Sequence, residues 1–244
     1  MKILISNDDG IFAPGIAVLV SAFSAAGYEV VVCAPDSQRS AASHSLTISR
    51  PVTVKEVEFD GAKKAYAIGG TPADCVKLGL TVLCPEAEAV VSGINKGYNV
   101  GTDILYSGTV AAAMEGAFCG RPALAVSQAQ ERGDYQAAAL LAVEMFERMM
   151  RRPLPPFSVL NLNYPPCDGI RGVAAAQMGT LVYSETYTPV VSNGEPAYAL
   201  GGVIEAEKTL SEDYRMLCEG FATVTVLHYN MTDRMSTNAF AAQE

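Results

Sequence analysis

The stretch from Lys2 to Ala34 constrains this chain more than any other. Lys2 to Ser6 reads as a short buried strand, Pro14 to Ala26 as a helix with its proline in the first turn, and Tyr28 to Ala34 as a second apolar, β-branched run. Gly27 ends the helix between them. Strand, helix and strand in this length make a βαβ unit, and its two strands lie parallel.

The alternation continues. Leu46 to Ile68 carries extended segments around Asp60-Gly61 and predicts a hairpin-like insertion. Thr71-Pro72-Ala73-Asp74 opens a helix running to about Leu83, with a cap, a first-position proline and an acid at the positive end. Ala89 to Ser92 is a strand, followed by a glycine-rich loop to Tyr106. Ser107 caps a helix through Phe118, with Val110, Met114, Ala117 and Phe118 on its buried face. Pro122 to Ser127 is a strand, Tyr135 to Met150 a helix with Ala137, Leu141 and Met145 on one side, and Phe157 to Leu162 a strand. The expected fold is α/β, a doubly wound, mostly parallel, Rossmann-like sheet over residues 1–164. Residues 165–244 read as a β-rich arm with short runs such as Gly179 to Tyr183, a helix at Ser211 to Glu219 and a last strand at Ala222 to Leu227. This part is expected to serve dimerisation, not to fold as an independent domain.

Charge narrows the partners. With 26 acidic against 17 basic residues, the chain has no broad positive field to hold a long nucleic acid. A small phosphorylated substrate needs local help from a metal ion or from amides at a helix start. The cysteines are scattered without a CxxC pair and are expected to be mostly buried thiols. Ile3-Leu4-Ile5 is too short for a signal peptide, and the apolar stretch from Phe12 to Ala26 is broken by Pro14, Gly15, Ser21 and Ser24, so no membrane span is expected and the reading is a cytoplasmic protein.

In open α/β sheets ligands bind outside the carboxyl ends of the strands. Three segments there are unusually polar: Asn7-Asp8-Asp9-Gly10, Pro35 to His44, and Gly93 to Asn99 continuing to Thr109. Two carboxylates about 4 Å apart repel by roughly 4 kcal/mol at an effective dielectric near 20, so Asp8 and Asp9 converge only on a cation or a shared proton. Gly10 lets the chain turn so that both acids can face one Mg²⁺ or Mn²⁺ ion. Taken alone, Asp8-Asp9-Gly10 reads more readily as a tight turn. Ser40 and Asn95 offer neutral oxygens that would complete a metal shell without repelling phosphate, although any single Ser or Asn there reads first as a loop hydrogen-bonding group.

Ser107-Gly108-Thr109 places hydroxyls and backbone amides at a helix start, where phosphate is stabilised and where a plain cap is equally at home. Arg39 and Lys96 are candidate cations or solvated surface groups. His44 is a candidate proton donor to a leaving group, or a surface histidine. No GxGxxG follows the first strand, and no GxxxxGK[ST] or GxSxG occurs, which argues against dinucleotide, P-loop and serine-hydrolase readings.

Together these loops resemble the SurE family of 5'/3'-nucleotidases. The matching runs are SNDDG with APG following, APDxxRSxASxSLT, GTPxDCV, SGINxGxNxG and YSGTVAAAMEG, extending through RPALAVS, over residues 1–127. The resemblance implies a phosphomonoesterase acting on nucleoside 5'- and 3'-monophosphates with one divalent metal ion, Mn²⁺ or Mg²⁺. Asp8, Asp9, Ser40 and Asn95 match the family's metal ligands. Asn99, Ser107, Gly108 and Thr109 fall at its phosphate contacts. A homodimer or tetramer that exchanges C-terminal segments is also implied.

The second half departs from the family pattern. Val224-Thr225-Val226-Leu227 stands where a Thr-Pro-Leu run is usual, and Ser192 to Tyr198 lacks the usual Asp-Pro-Arg-Gly. These changes bear on the arm and the oligomer. The expected mechanism is in-line attack by water, with Asp8 or Asp9 taking its proton. One rival makes an aspartate the nucleophile, as in haloacid-dehalogenase-like enzymes, but their two aspartates are separated by one residue and these are adjacent. Another rival is a nucleotide-binding sensor of the same fold that does not hydrolyse its ligand.

Overall fold

The computed structural model describes residues 1–129, 133–167 and 169–241; of the expected arm, residues 168 and 242–244 lie outside them. Strand β1 (Lys2–Ser6), helix α1 (Pro14–Ala25) and strand β2 (Glu29–Pro35) form the expected unit, with β1 and β2 parallel and Leu4 opposite Val31. Gly27, at φ +87°, supplies the left-handed turn that ends the helix. The hairpin of β3 (Val54–Val57) and β4 (Lys64–Ile68) follows. Because β4 pairs in parallel with β2, the insertion forms an edge of the main sheet.

Helix α2 (Pro72–Leu78) starts from a complete capping box: the Thr71 hydroxyl accepts from the Asp74 N–H at 3.1 Å and the Asp74 carboxylate from the Thr71 N–H at 2.9 Å. A single π-helical turn, Gly79–Leu83, continues it. Strand β5 (Ala89–Lys96) lies on the other side of β1 and is longer than the sequence suggests. Its pairing is interrupted after Ser92 and resumes with Asn95 opposite Ser127, so Asn95 and Lys96 are strand residues rather than loop. A 3₁₀ turn over Gly101–Tyr106 leads to α3 (Gly108–Phe118), β6 (Ala123–Gln128), α4 (Gln136–Arg151) and β7 (Ser158–Tyr164).

Beyond residue 164 come β8 (Val173–Ala175), the hairpin β9 (Thr186–Ser192) and β10 (Glu195–Gly201), α5 (Glu212–Cys218), β11 (Ala222–His228) and α6 (Arg234–Ala241). The run from Gly179 to Tyr183 forms only isolated bridges, Thr180 to Leu210 and Tyr183 to Ile204.

The main sheet has the order β3-β4-β2-β1-β5-β6-β7-β11-β8. It is parallel from β4 to β7, and β11 joins antiparallel to β7. The fold is therefore α/β with a mostly parallel sheet and a separate β hairpin. Helices α1 and α4 cover one face, packing on Ile3, Ile5, Leu124 and Leu162, and α2 and α3 cover the other, packing on Leu4, Val90 and Ala125. The rings of Phe23, Tyr28 and Phe146 meet at 5.3 to 5.6 Å, and each phenylalanine so buried contributes roughly 1.5–3 kcal/mol. Crossovers through α3 and α4 step the same way along the sheet but lie on opposite faces. The α4 connection thus has the opposite hand to the other three, against the right-handed rule.

Two expectations about side chains need correction. Phe118 is 40% exposed because it closes the last turn of α3, beyond the sheet, and its ring meets His44 and Tyr229 instead of the core. Cys33, Cys75 and Cys84 are buried, but Cys119 and Cys218 are exposed at helix ends. The strand order reverses at β1, with β2 on one side and β5 on the other, and the crevice at their carboxyl ends is where an open α/β sheet binds its ligand.

Candidate active site

The acidic pair leaves β1 on a clamped turn. Asn7 Nδ2 donates to the Gly10 carbonyl at 2.8 Å, and Gly10 takes φ +100°, which a side chain would strain. This turn buries Asp8, leaving it 6% exposed, while Asp9 stays half-buried.

Asp8 faces the start of α3. Thr109 Oγ1 donates to Asp8 Oδ1 at 2.5 Å. A Cβ on Gly108 would lie 2.8 Å from the Asp8 Cβ and 3.0 Å from Pro72 Cγ, so glycine is what allows this approach. Ser107 caps the helix, its Oγ accepting from the Val110 N–H at 3.1 Å. The positive end of α3, whose first-turn amides have no carbonyl partners within the helix, thus abuts Asp8.

Asp9 faces β5 and the loop after β2. The Lys96 N–H donates to Asp9 Oδ2 at 3.2 Å, and Gln38 Nε2 donates to Ser40 Oγ at 2.9 Å while lying 3.5 Å from Asp9 Oδ1. Gln38 therefore links Asp9 to Ser40, a role that sequence reasoning missed inside a loop it had singled out. That loop is pinned at both ends: the Arg39 N–H donates to the Asp8 carbonyl at 2.7 Å, and the Ser43 N–H to the Tyr106 carbonyl at 3.1 Å. Ala41 and Ser43 sit at φ 54° and 52° between and at these anchors, a conformation costing about 1 kcal/mol or more for each such residue.

Burial pushes the Asp8 carboxyl up to about 6; the Thr109 hydrogen bond opposes this and the Asp9 charge adds to it. Burial also raises Asp9, against the Lys96 N–H and charge. A cation would relieve both. Asp8, Asp9, Ser40 Oγ and Asn95 could hold one: Asn95 Nδ2 is taken by the Gly97 carbonyl at 2.9 Å, which leaves Oδ1 as its donor atom. This all-oxygen set suits a hard divalent ion. Among the described residues no group of three His, Cys, Asp or Glu side chains could hold a metal, so neutral oxygens must complete any shell.

Asn99 bonds to the neighbouring strands. Its Nδ2 donates to Ser127 Oγ at 2.7 Å, its N–H to Asn163 Oδ1 at 2.9 Å, and its carbonyl accepts from Asn161 and Asn163 at 2.8 and 3.1 Å. Asn161 and Asn163, both fully buried, were also missed. Their signal was present: two amides alternating with Leu160 and Leu162 in a strand otherwise fit for the core.

His44 is engaged elsewhere on α3. Its Nε2 lies 2.9 Å from Glu115 Oε1 and its ring stacks on Phe118. Glu115 follows Thr109 by about 9 Å of helical rise and also holds Lys77 at 3.0 Å. Burial raises the Glu115 carboxyl, but His44 and Lys77 outweigh this and hold it below its usual range. Arg39 pairs with Asp36 at 3.2 Å.

A cleft of about 680 Å³ opens beside Asp9, bounded by Phe12, Gln38, Lys96 and Tyr135. Another cavity of about 330 Å³ lies at the opposite end of the sheet, between the ends of α3 and α4, and touches none of these site residues. Among the described residues no helix is long and apolar enough to cross a membrane.

Comparison with known proteins gives the family. The family model described as Survival protein SurE matches residues 3–185. The 5'-nucleotidase SurE of Legionella pneumophila (strain Lens) is 43% identical over 241 residues, covering 95% of this chain and 92% of that protein. The 5'-nucleotidase SurE of Synechococcus elongatus is 42% identical over 246 residues, covering 95% of each. The crystal structure of the SurE protein from Aquifex aeolicus superposes with a TM-score of 0.83 at 34% identity, covering 98% of both chains. With the matched segment holding Asp8, Asp9, Ser40, Asn95 and the start of α3, the chain belongs to the SurE family.

Proposed function

We propose that the chain is a divalent-metal-dependent phosphomonoesterase that hydrolyses nucleoside 5'- and 3'-monophosphates to nucleoside and phosphate. The observation that carries this reading is the contact of Asp8 with Thr109, which sets one member of an acidic pair directly against a helix N-terminus. Acids repel phosphate and a helix start attracts it, so the two make one functional site only with a cation between them. The names of the relatives, 5'-nucleotidase SurE, support the substrate class.

Asp8, Asp9, Ser40 and Asn95 would hold one Mn²⁺ or Mg²⁺ ion, which when bound supplies Lewis-acid polarisation of the phosphoryl group and a more acidic water. The amides of Gly108 and Thr109 and the Ser107 cap receive the phosphate oxygens and carry the charge that develops during in-line displacement. The aspartate pair takes the proton of the attacking water. Asn99 acts through the backbone of the loop it anchors. The protein is proposed to work as a homodimer: among the described residues the β9–β10 hairpin pairs only with itself, and α6 leaves Met235 and Phe240 in solvent, which is support for exchange of C-terminal segments.

The test is phosphate release from AMP and 3'-AMP by protein stripped with a chelator, with and without added Mn²⁺. Metal-dependent release is expected. Binding of AMP without release in either condition would convert the assignment to a nucleotide sensor.

A further inference from the structure

We propose that Phe12 is a specificity residue, the stacking surface for the nucleobase of the substrate in the cleft beside Asp9. The inference rests on the nucleotidase reading and extends it to the part of the substrate that does not react.

The placement of Phe12 is enforced by its neighbours. The Ile11 N–H donates to the Pro35 carbonyl at 2.8 Å, the Ala13 N–H to the Gly10 carbonyl at 3.0 Å, and Asn7 Nδ2 to that same carbonyl at 2.8 Å. Ile11 is fully buried, and Pro14 starts α1 immediately afterwards. The turn is thus fixed on both sides of Phe12, and its ring, 74% exposed, stands at the cleft. It is held by the same Gly10 turn that sets the aspartates, so ring and acids keep a fixed relation.

Asp8 touches the α3 start at Gly108 and Thr109, while its neighbour Asp9 borders the cleft. A phosphate at the α3 start whose ester group passes Asp9 reaches this cleft and Phe12. At about 680 Å³ the cleft is within the range of small-molecule sites and large enough for a nucleoside. Its inner wall is rigid: a Cβ on Gly15 would lie 2.2 Å from the Ile94 carbonyl oxygen and 3.4 Å from the ring of Tyr135, so α1, β5 and Tyr135 close without a gap. Asp36 is paired with Arg39 and Asp9 takes the charge of Lys96, so among the described lining residues no cation is spare for a second anionic group, and an uncharged aromatic ring suits the cleft better than further phosphates. An aromatic side chain is the general device for holding a base irrespective of its hydrogen-bonding edge.

The experiment compares the wild type, Phe12→Ala and Phe12→Trp on AMP and on ribose 5-phosphate, which lacks the base, in the presence of Mn²⁺. In Phe12→Ala the ratio of kcat/KM for AMP to that for ribose 5-phosphate is expected to fall roughly tenfold or more, through KM, and Phe12→Trp is expected to restore it. Adenosine, added as a competitive inhibitor, is expected to weaken in parallel, and inorganic phosphate is not. An unchanged ratio overturns the assignment, as does an equal loss on both substrates. A wild type that releases no phosphate from AMP overturns the nucleotidase reading itself, a result distinct from an unaltered ratio in an active enzyme.

Discussion

Asn163 holds the Asn99 peptide at both of its polar groups, accepting from the N–H at 2.9 Å and donating to the carbonyl at 3.1 Å. The sheet register explains why a side chain on β7 can do this. Asn95, Ser127 and Asn163 are consecutive partners across β5, β6 and β7, so they form a polar row on one face, next to the turn that leaves β5 after Lys96 and reaches Asn99. A fully buried amide costs stability unless it is hydrogen-bonded, and here the bonds it makes fix the backbone next to a proposed metal ligand. Asn163→Ala leaves the Asn99 N–H unpaired and is expected to destabilise the fold by about 1–3 kcal/mol. It should also weaken Mn²⁺ binding, measured by calorimetry on chelator-treated protein. Wild-type metal affinity in a destabilised but folded variant would show that the row serves the core alone.

Gly108→Ala separates site geometry from helix stability. Alanine is the better helix former by up to about 1 kcal/mol, so a merely structural position would gain. Here the new methyl meets Asp8 at 2.8 Å and must displace the carboxylate or the helix start. A shift of about 1 Å is enough to lower kcat roughly a hundredfold. The overlap costs about 1–3 kcal/mol against that gain, so the expected result is a folded protein with Tm unchanged or a few degrees lower and kcat/KM down by about two orders of magnitude; full activity would remove the α3 start from the site.

The hairpin prediction concerns assembly. Tyr187 and Leu200 are directly opposite on β9 and β10, 64% and 65% exposed, and so lie on one face of the pair. An isolated two-stranded hairpin with apolar residues in water is marginal by itself, and a second copy of the chain is the proposed cover. Tyr187→Ser with Leu200→Ser is expected to convert dimer to monomer in light scattering at micromolar concentration. An unchanged mass would place the interface elsewhere.

How much of this was legible in the sequence follows from how local each determinant is. The βαβ start, the Thr71 cap and the Ser107 cap are set by neighbours in sequence and are legible there, while the reciprocal bond that makes Thr71 and Asp74 a capping box is seen only in the structure. The extension of β5 to Lys96 was not, because it depends on pairing with Ser127 and Gln128 after an interruption at Gly93 and Ile94. The hand of the α4 crossover and the edge position of the β3–β4 hairpin are likewise long-range facts. His44 shows the same limit: its loop passes near the site, but whether it meets Asp8 or Glu115 is settled by where α3 lies. Asn161 and Asn163 could have been noticed as amides in an apolar run, though nothing local to them points to Asn99.

The acidic pair itself makes a prediction about pH and metal. The Asp8 carboxyl rises from 3.8 unfolded to about 6 folded, chiefly through burial. Between these values the folded chain keeps a proton that the unfolded chain has released. Its contribution to stability is therefore full below about pH 4 and is lost as pH rises to about 6, a loss of about 3 kcal/mol for the metal-free protein. Asp8→Asn keeps the shape and the acceptor for Thr109 but carries no charge to desolvate. Chelator-treated Asp8→Asn at pH 8 is expected to melt roughly 5–10 °C above chelator-treated wild type, with the difference vanishing near pH 4. Added Mn²⁺ should close most of the gap at a hundredfold excess over Kd, where the wild type gains about 2.7 kcal/mol, and reverse the order at a thousandfold excess, where it gains about 4.1 kcal/mol and the variant has lost a ligand. Should the two proteins melt together at pH 8 and respond equally to Mn²⁺, Asp8 is neither strained by its burial nor a metal ligand, and the pair would return to being a turn.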